Sequence, residues 1–206
     1  MERYKYKVED VVGDLNSSPI PTILSRTYIE QSEIRNIIGD LFVSGFVACD
    51  FGAGFGRLTP VLTEFSKHVF AFEREEEFRE IIKTLNPEIN VGSLEASKDF
   101  SNYFDVILCW TVLQHMHQDE LVSAISKIKN MSRQGSYLIL CEEILESDIE
   151  WNPEISKEKH ICIARTFEVY ANLLCPDFSL VEMRDRPKEK TNNRDVGKIM
   201  IFQKKE

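Results

Sequence analysis

The stretch Val47-Ala48-Cys49-Asp50-Phe51-Gly52-Ala53-Gly54-Phe55-Gly56-Arg57 constrains this chain more than any other. A short apolar run ends at an aspartate, and three glycines follow at alternate positions. The run reads as a buried strand and the glycines as a tight turn. Leu58, Val61, Leu62 and Phe65 then make a helical stripe. A turn of this kind brings backbone close to a ligand. A Cβ at Gly52 or Gly54 would intrude on that approach, and glycine also admits positive φ. The spacing separates two ligand classes. A nicotinamide fingerprint is G-x-G-x-x-G, one residue longer before its third glycine than the G-x-G-x-G found here.

The rest of the chain alternates strand and helix patterns. Asn16-Ser17-Ser18-Pro19-Ile20-Pro21 reads as a turn-rich break. Ile34, Ile37, Ile38, Leu41 and Phe42 predict an amphipathic helix ending before Gly45. His68–Phe72 is a strand ending at Glu73, and a charged helix runs from Glu75 to about Leu85. Ile89-Asn90-Val91 is a short strand, and Gly92-Ser93 turns out of it. Phe104–Trp110 is a fourth strand. Asp119 is placed to cap a helix carrying Leu121, Ala124, Ile125, Ile128 and Met131, with Gly135 beyond its end. Tyr137–Cys141 is a fifth strand, and a helix over about Thr166–Leu174 stops at Pro176. Phe178–Met183 and Lys198–Gln203 have no helix between them, which predicts an antiparallel hairpin.

Bulk properties narrow the class. The 206 residues suffice for one α/β domain with a sizeable core. A formal net charge of −9 disfavours an electrostatic grip on nucleic acid or anionic membrane. No apolar run approaches a membrane span, and Met1–Lys7 lacks a signal-peptide core, so the expectation is a cytoplasmic protein. The five cysteines form no C-x-x-C pair or other metal-ligand spacing; they read as reduced thiols, with no metal site expected.

At the glycine turn the sequence resembles the class I, Rossmann-like methyltransferases that use S-adenosylmethionine (SAM). The segment Trp110-Thr111-Val112-Leu113-Gln114-His115 is similar to a V-L-x-H stretch that follows the fourth strand in many of them. The resemblance covers roughly residues 34 to 206. It implies a doubly wound α/β sheet of seven strands with a C-terminal antiparallel β-hairpin and helices on both faces. Residues 1–206 would be a single domain, with 1–33 a cap or lid over a SAM-binding core at 34–206.

The resemblance also assigns residues. Gly52, Gly54 and Gly56 would lie beside the methionyl part of SAM, with the following helix directing its N–H groups and dipole there. Asp50 matches the acidic residue that opens the motif; it would order the loop and reach the ammonium group directly or through water. Arg57 stands where some members pair an arginine with the SAM carboxylate. Glu73, ending the second strand, is the ribose ligand, because one carboxylate accepts both hydroxyls. Ser93, Leu94 and Glu95 would meet the adenine. Trp110 would sit near the methyl-transfer centre, at the strand edge where open α/β sheets bind ligands.

Methyl transfer from a sulfonium is an in-line displacement that chiefly needs alignment and dryness. A base is needed only where the acceptor must lose a proton. His115, His117, Glu142, Glu143 and His160 are the candidates, and His115 and Glu142 are taken forward. The expected reaction moves methyl to an O or N of a small-molecule acceptor and releases S-adenosylhomocysteine. The substrate-facing parts are expected to be the N-terminal ~30 residues, Ser147–Ala164 with its polar-aromatic segment Ile149–Pro153, and the hairpin loop. The rival readings are a non-catalytic SAM-binding partner module and, less favoured by the glycine spacing, a nicotinamide oxidoreductase.

Overall fold

The computed structural model describes residues 20–41, 45–145, 149–151, 162–187 and 197–206. The chain divides into two compact units, Met1–Ala96 and Ser97–Glu206.

The first unit contains α1 (Ile20–Leu41), β1 (Phe46–Phe51), α2 (Thr59–Thr63), β2 (Ser66–Glu73), α3 (Glu76–Leu85) and β3 (Asn90–Ser93). Its strands lie in the order β3-β2-β1 and all run parallel. Register pairs Phe51 with Phe72 and Glu73 with Ser93, so the three strands end along one edge. Ala48, Cys49 and Phe51 are fully buried in succession along β1, as expected for a parallel strand covered on both faces. Ile34, Ile37 and Ile38 of α1, Val61 and Leu62 of α2, and Phe78 and Ile82 of α3 are also buried.

The second unit contains β4 (Phe104–Trp110), a 3₁₀ turn at Leu113–His115, α4 (Gln118–Met131), β5 (Ser132–Glu143), β6 (Ile149–Trp151), β7 (Cys162–Ala164), α5 (Phe167–Leu174), β8 (Phe178–Asp185) and β9 (Gly197–Lys204). Here the order is β4-β5-β9-β8. β4 and β5 are parallel, β9 runs antiparallel to β5, and β8 runs antiparallel to β9. The seven strands β1–β5, β8 and β9 belong to one mixed sheet, so the expected α/β class and the terminal hairpin both hold. No described helix is long and apolar enough to cross a membrane.

Several local expectations are corrected. The expected break at residues 16–21 is overtaken from Ile20 on: α1 begins there and contains Pro21, which a first helical turn tolerates; residues 16–19 lie outside the described residues. The middle of α1 is anchored by polar contacts, described below, which apolar periodicity does not register. Phe42 lies outside the described residues. The helix after the glycine turn has only five residues, too few for a substantial dipole. Gly92 and Ser93 end β3 rather than turning out of it, and the turn is the following 3₁₀ segment, Leu94–Asp99. His117, not Asp119, is the N-cap of α4, and the Glu120 carboxylate accepts its N–H at 3.1 Å. Gly135 lies within β5, not before it, at φ +74°. Ile149–Trp151 is a strand, pairing antiparallel with Cys162–Ala164; residues 152–161 lie outside the described residues, as does most of the loop joining β8 and β9. Cys49, Cys109 and Cys141 are buried in β1, β4 and β5.

Candidate functional site

The glycine turn is held by β2. The N–H groups of Gly52 and Ala53 both donate to the Phe72 carbonyl, at 2.8 and 3.2 Å, and the Gly56 N–H closes the turn on the Ala53 carbonyl at 3.0 Å. Gly54 and Gly56 have left-handed backbones, φ +57° and +84°, but for different reasons. Among the described residues a Cβ at Gly54 would meet no atom within 4 Å, so they leave open space over this part of the loop. A Cβ at Gly56 would stand 2.8 Å from Cγ1 of the fully buried Ile82. Gly56 therefore serves the packing of the turn on α3.

Glu73 is the buried member of its acidic run, 8% exposed. Its Oε2 accepts the Gly54 N–H at 2.8 Å, and its Oε1 accepts the Glu75 N–H at 2.9 Å. The carboxylate thus ties the glycine turn to the start of α3. Burial pushes its pKa up, against the pull of backbone N–H groups and of Arg74. Each oxygen retains accepting capacity beyond one N–H. Asp50 is also buried, and its Oδ2 accepts the Thr59 hydroxyl proton at 2.6 Å, linking the end of β1 to the start of α2. Burial raises the Asp50 pKa to about 6, although the Thr59 hydrogen bond and Arg57 oppose this.

Arg57 is placed differently from the expectation. Its guanidinium pairs with the carboxylate of Glu30 on α1, which is 3% exposed and also accepts Arg26 Nε at 3.2 Å. The Arg57 carbonyl accepts Gln31 Nε2 at 2.7 Å. Two consecutive residues of α1 therefore grip the end of the glycine turn. Burial lowers the Arg57 pKa, and the Glu30 charge works against that fall. Sequence reasoning missed Glu30. Nothing local marks it, because its partner lies 27 positions away.

At the end of β3, the Ser93 hydroxyl accepts the Ala96 N–H at 3.2 Å and so caps the 3₁₀ turn. Leu94 is half-buried and Glu95 exposed in that turn. Gly92 lies against Phe72, whose ring would be 3.1 Å from an added Cβ.

In the second unit, β4 ends at Trp110, which is 5% exposed. Its indole N–H is buried and has no hydrogen-bond partner among the described residues. Thr111 follows at φ +56°, a costly conformation for a β-branched residue, with its N–H held by the Cys141 carbonyl at 2.7 Å. Glu142 is fully buried. Its Oε1 accepts the N–H groups of Val112 and Leu113 at 3.0 and 2.8 Å, and its Oε2 accepts that of Gln114 at 2.9 Å. Burial pushes its pKa up to about 7, opposed by those N–H groups and by Arg165. This is a carboxylate engaged by backbone, unlike the open base expected.

His115 is half-buried. Its Nε2 lies 3.3 Å from Gln114 Nε2, while Gln114 Oε1 accepts the Glu143 N–H at 3.3 Å. A backbone N–H can only donate, so it orients the Gln114 amide. The Gln114 NH₂ then donates to His115 Nε2, which assigns the imidazole proton to Nδ1.

Arg165, a second residue that sequence reasoning missed, is 2% exposed and directly follows β7. Its Nη1 donates to the Leu113 carbonyl at 3.0 Å and its Nη2 to the Met116 carbonyl. Tyr170 of α5 is buried beside it; burial and the Glu142 charge push the phenol pKa up.

Comparison with known proteins agrees with this geometry. The family described as a methyltransferase domain matches residues 49–140. An uncharacterized methyltransferase of Anoxybacillus flavithermus is 28% identical over 105 residues, 48% of each protein, so the match spans about half the length of that curated relative. Among solved structures, the Burkholderia thailandensis 1,6-didemethyltoxoflavin-N1-methyltransferase, bound to 1,6-didemethyltoxoflavin and S-adenosylhomocysteine, superposes with a TM-score of 0.70. It is 17% identical, and the alignment covers 100% of this chain and 94% of that one. The N-methyltransferase NodS of Bradyrhizobium japonicum, bound to S-adenosylhomocysteine, gives 0.65 at 16% identity, covering 94% and 92%. The matched span takes in the glycine turn and the β4 exit, and the fold is that of the solved methyltransferases that superpose on this chain.

Proposed function

We propose that this chain transfers the methyl group of SAM to an O or N of a small-molecule acceptor and releases S-adenosylhomocysteine. The observation that carries the reading is the tie between Glu73 and the Gly54 N–H beneath open space. It presents a left-handed backbone and a buried carboxylate together at one strand edge. In this reading Glu73 accepts the ribose hydroxyls with its remaining lone pairs, and Gly52 and Gly54 lie along the methionyl part. Asp50 orders the loop through Thr59. Arg57 acts on the loop through Glu30 rather than on the cofactor. Ser93, Leu94 and Glu95 border the adenine. Trp110 and His115 belong to the reacting end, where a buried donor without a partner calls for an explanation.

SAM supplies a methyl group on a sulfonium that is already a good leaving group. What remains for the protein is to align the acceptor and exclude water. His115 is the residue we assign to contact the acceptor; its Nε2 is the basic nitrogen, held by Gln114. A nitrogen acceptor that reacts through a free lone pair needs no base before transfer. The names of the two structural neighbours, both N-methyltransferases, support that choice. The net charge of −9 favours a small molecule over nucleic acid.

The test is calorimetry with SAM, S-adenosylhomocysteine and NADH, followed by detection of methyl transfer to a panel of small amines and hydroxyl compounds. Micromolar binding of the two adenosyl ligands with turnover is expected. Binding without turnover on any acceptor would favour the non-catalytic module. Binding of NADH alone would overturn the reading.

A further inference from the structure

We infer that Glu142 and Arg165 are positioning residues that set the rate of methyl transfer by clamping the β4 exit, Thr111–Met116, without touching either substrate. The inference rests on the methyltransferase reading above.

Outside strands and helices, the backbone polar groups of a buried segment must find partners or cost stability. Here two buried charged side chains supply several of them. Three consecutive N–H groups, of Val112, Leu113 and Gln114, converge on the Glu142 carboxylate. Two carbonyls, of Leu113 and Met116, accept from the Arg165 guanidinium. The carboxylate stands one residue before the end of β5 and the guanidinium one residue past β7, so two parts of the fold grip the turn. Neither charge is left over for solvent, since Glu142 is 0% and Arg165 2% exposed. Such a pair costs desolvation free energy that an apolar pair would not, and geometric specificity is one return for that cost.

The clamp has a strained object to hold. Thr111 stands at φ +56°, and such outliers persist only where the surroundings over-determine them. The clamped segment joins Trp110 to His115, the two residues assigned to the reacting end. It also carries Gln114, whose amide fixes the imidazole. A displacement of about 1 Å at such a site can cost on the order of 100-fold in rate. The charged and titratable groups that interact with Glu142 are Arg165, just past β7, and Tyr170 from α5. Arg165 alone among them is a cation, so it is the group that compensates the carboxylate.

Two conservative variants test this. Glu142→Gln keeps the shape but turns an NH₂ donor toward one of the three N–H groups. Arg165→Lys keeps the charge, but a single ammonium cannot span two carbonyls as a guanidinium does. For each, hydrogen exchange at Val112–Gln114, S-adenosylhomocysteine affinity by calorimetry, and kcat and KM for the acceptor are measured. The expected result is lost amide protection confined to the turn, and a kcat lower by 10-fold or more. Acceptor KM and S-adenosylhomocysteine affinity stay within about twofold. Should Glu142→Gln fail to fold, Arg165→Lys carries the same test. Unchanged protection would show that the pair does not hold the turn. Lost protection with unchanged kcat would show that the turn does not govern transfer. A wild-type protein without turnover would instead sink the methyltransferase reading, while the exchange data still decide whether the clamp exists.

Discussion

Replacing Gly54 and Gly56 separately by alanine should divide ligand binding from folding. Both glycines have positive φ, +57° and +84°, so either alanine incurs the left-handed penalty of roughly 1–2 kcal/mol. At Gly54 no atom of the described residues lies within 4 Å of the new methyl group, and the cost stops there. At Gly56 the methyl would be 2.8 Å from Ile82 Cγ1, with Cγ2 and Cβ at 3.5 and 3.6 Å. Ile82 is β-branched and fully buried, so it cannot swing away. Overpacking of this kind adds roughly 1–3 kcal/mol. Gly56→Ala should therefore lose about 2–5 kcal/mol in total, and a loss of about 3 kcal/mol lowers the melting temperature of a chain this size by roughly 6–12 °C. Gly54→Ala should melt within a few degrees of wild type and yet bind SAM poorly, because its methyl fills the space left for the ligand. Urea titration gives the first quantity and calorimetry the second. Equal destabilisation by the two variants would refute the packing role of Gly56. Wild-type SAM affinity in Gly54→Ala would refute the assignment of the open space.

Three other outcomes are expected. Glu73→Ala should weaken SAM binding by roughly 1.5–3 kcal/mol, the scale of a hydrogen bond to a charged group; unchanged calorimetric affinity would mean that the ribose is held elsewhere. Glu30→Ala strands the buried Arg57 guanidinium and should cost several kcal/mol, about 3–5 at most. Adding Arg57→Met should recover much of that in urea titrations, and strict additivity would contradict the pairing. Two buried carboxylates, Glu142 and Asp50, have folded pKa values near 7 and 6, above their ordinary values. Between the unfolded and folded values the native chain keeps protons that the unfolded chain releases. Their stabilisation is present in full below the unfolded values and is lost as pH rises through 6 and 7. The Glu142 share is about 3 kcal/mol. The melting temperature should fall from pH 5 to pH 8, less so in Glu142→Gln; a flat or rising profile in the wild type would contradict the burial argument.

Much of the fold was legible from local pattern. Alternating glycines after an apolar run, the period of the helical stripes and the absence of a helix between the last two apolar runs each depend on near neighbours. β4 matches its expected span, and the hairpin appears as read. The position of Glu73 was legible for the same reason, since it directly follows a strand. Element boundaries failed where a tertiary contact replaced an apolar signal. The middle of α1 is an example, held by Glu30 and Gln31 on the glycine turn.

The sequence by itself determined the strand-glycine-helix motif, the α/β class and which carboxylate ends β2. These follow from steric limits on backbone and from the periodicity of side chains along one segment. Only the tertiary structure decided what the charged groups do. Arg57 met Glu30 from 27 positions away, and Arg165 reached Leu113 across 52. Glu142 gathered three N–H groups from a segment about 30 positions earlier. The physical reason is desolvation. A charge buried by folding must be satisfied by whatever the fold brings beside it, and sequence spacing carries no record of that neighbour.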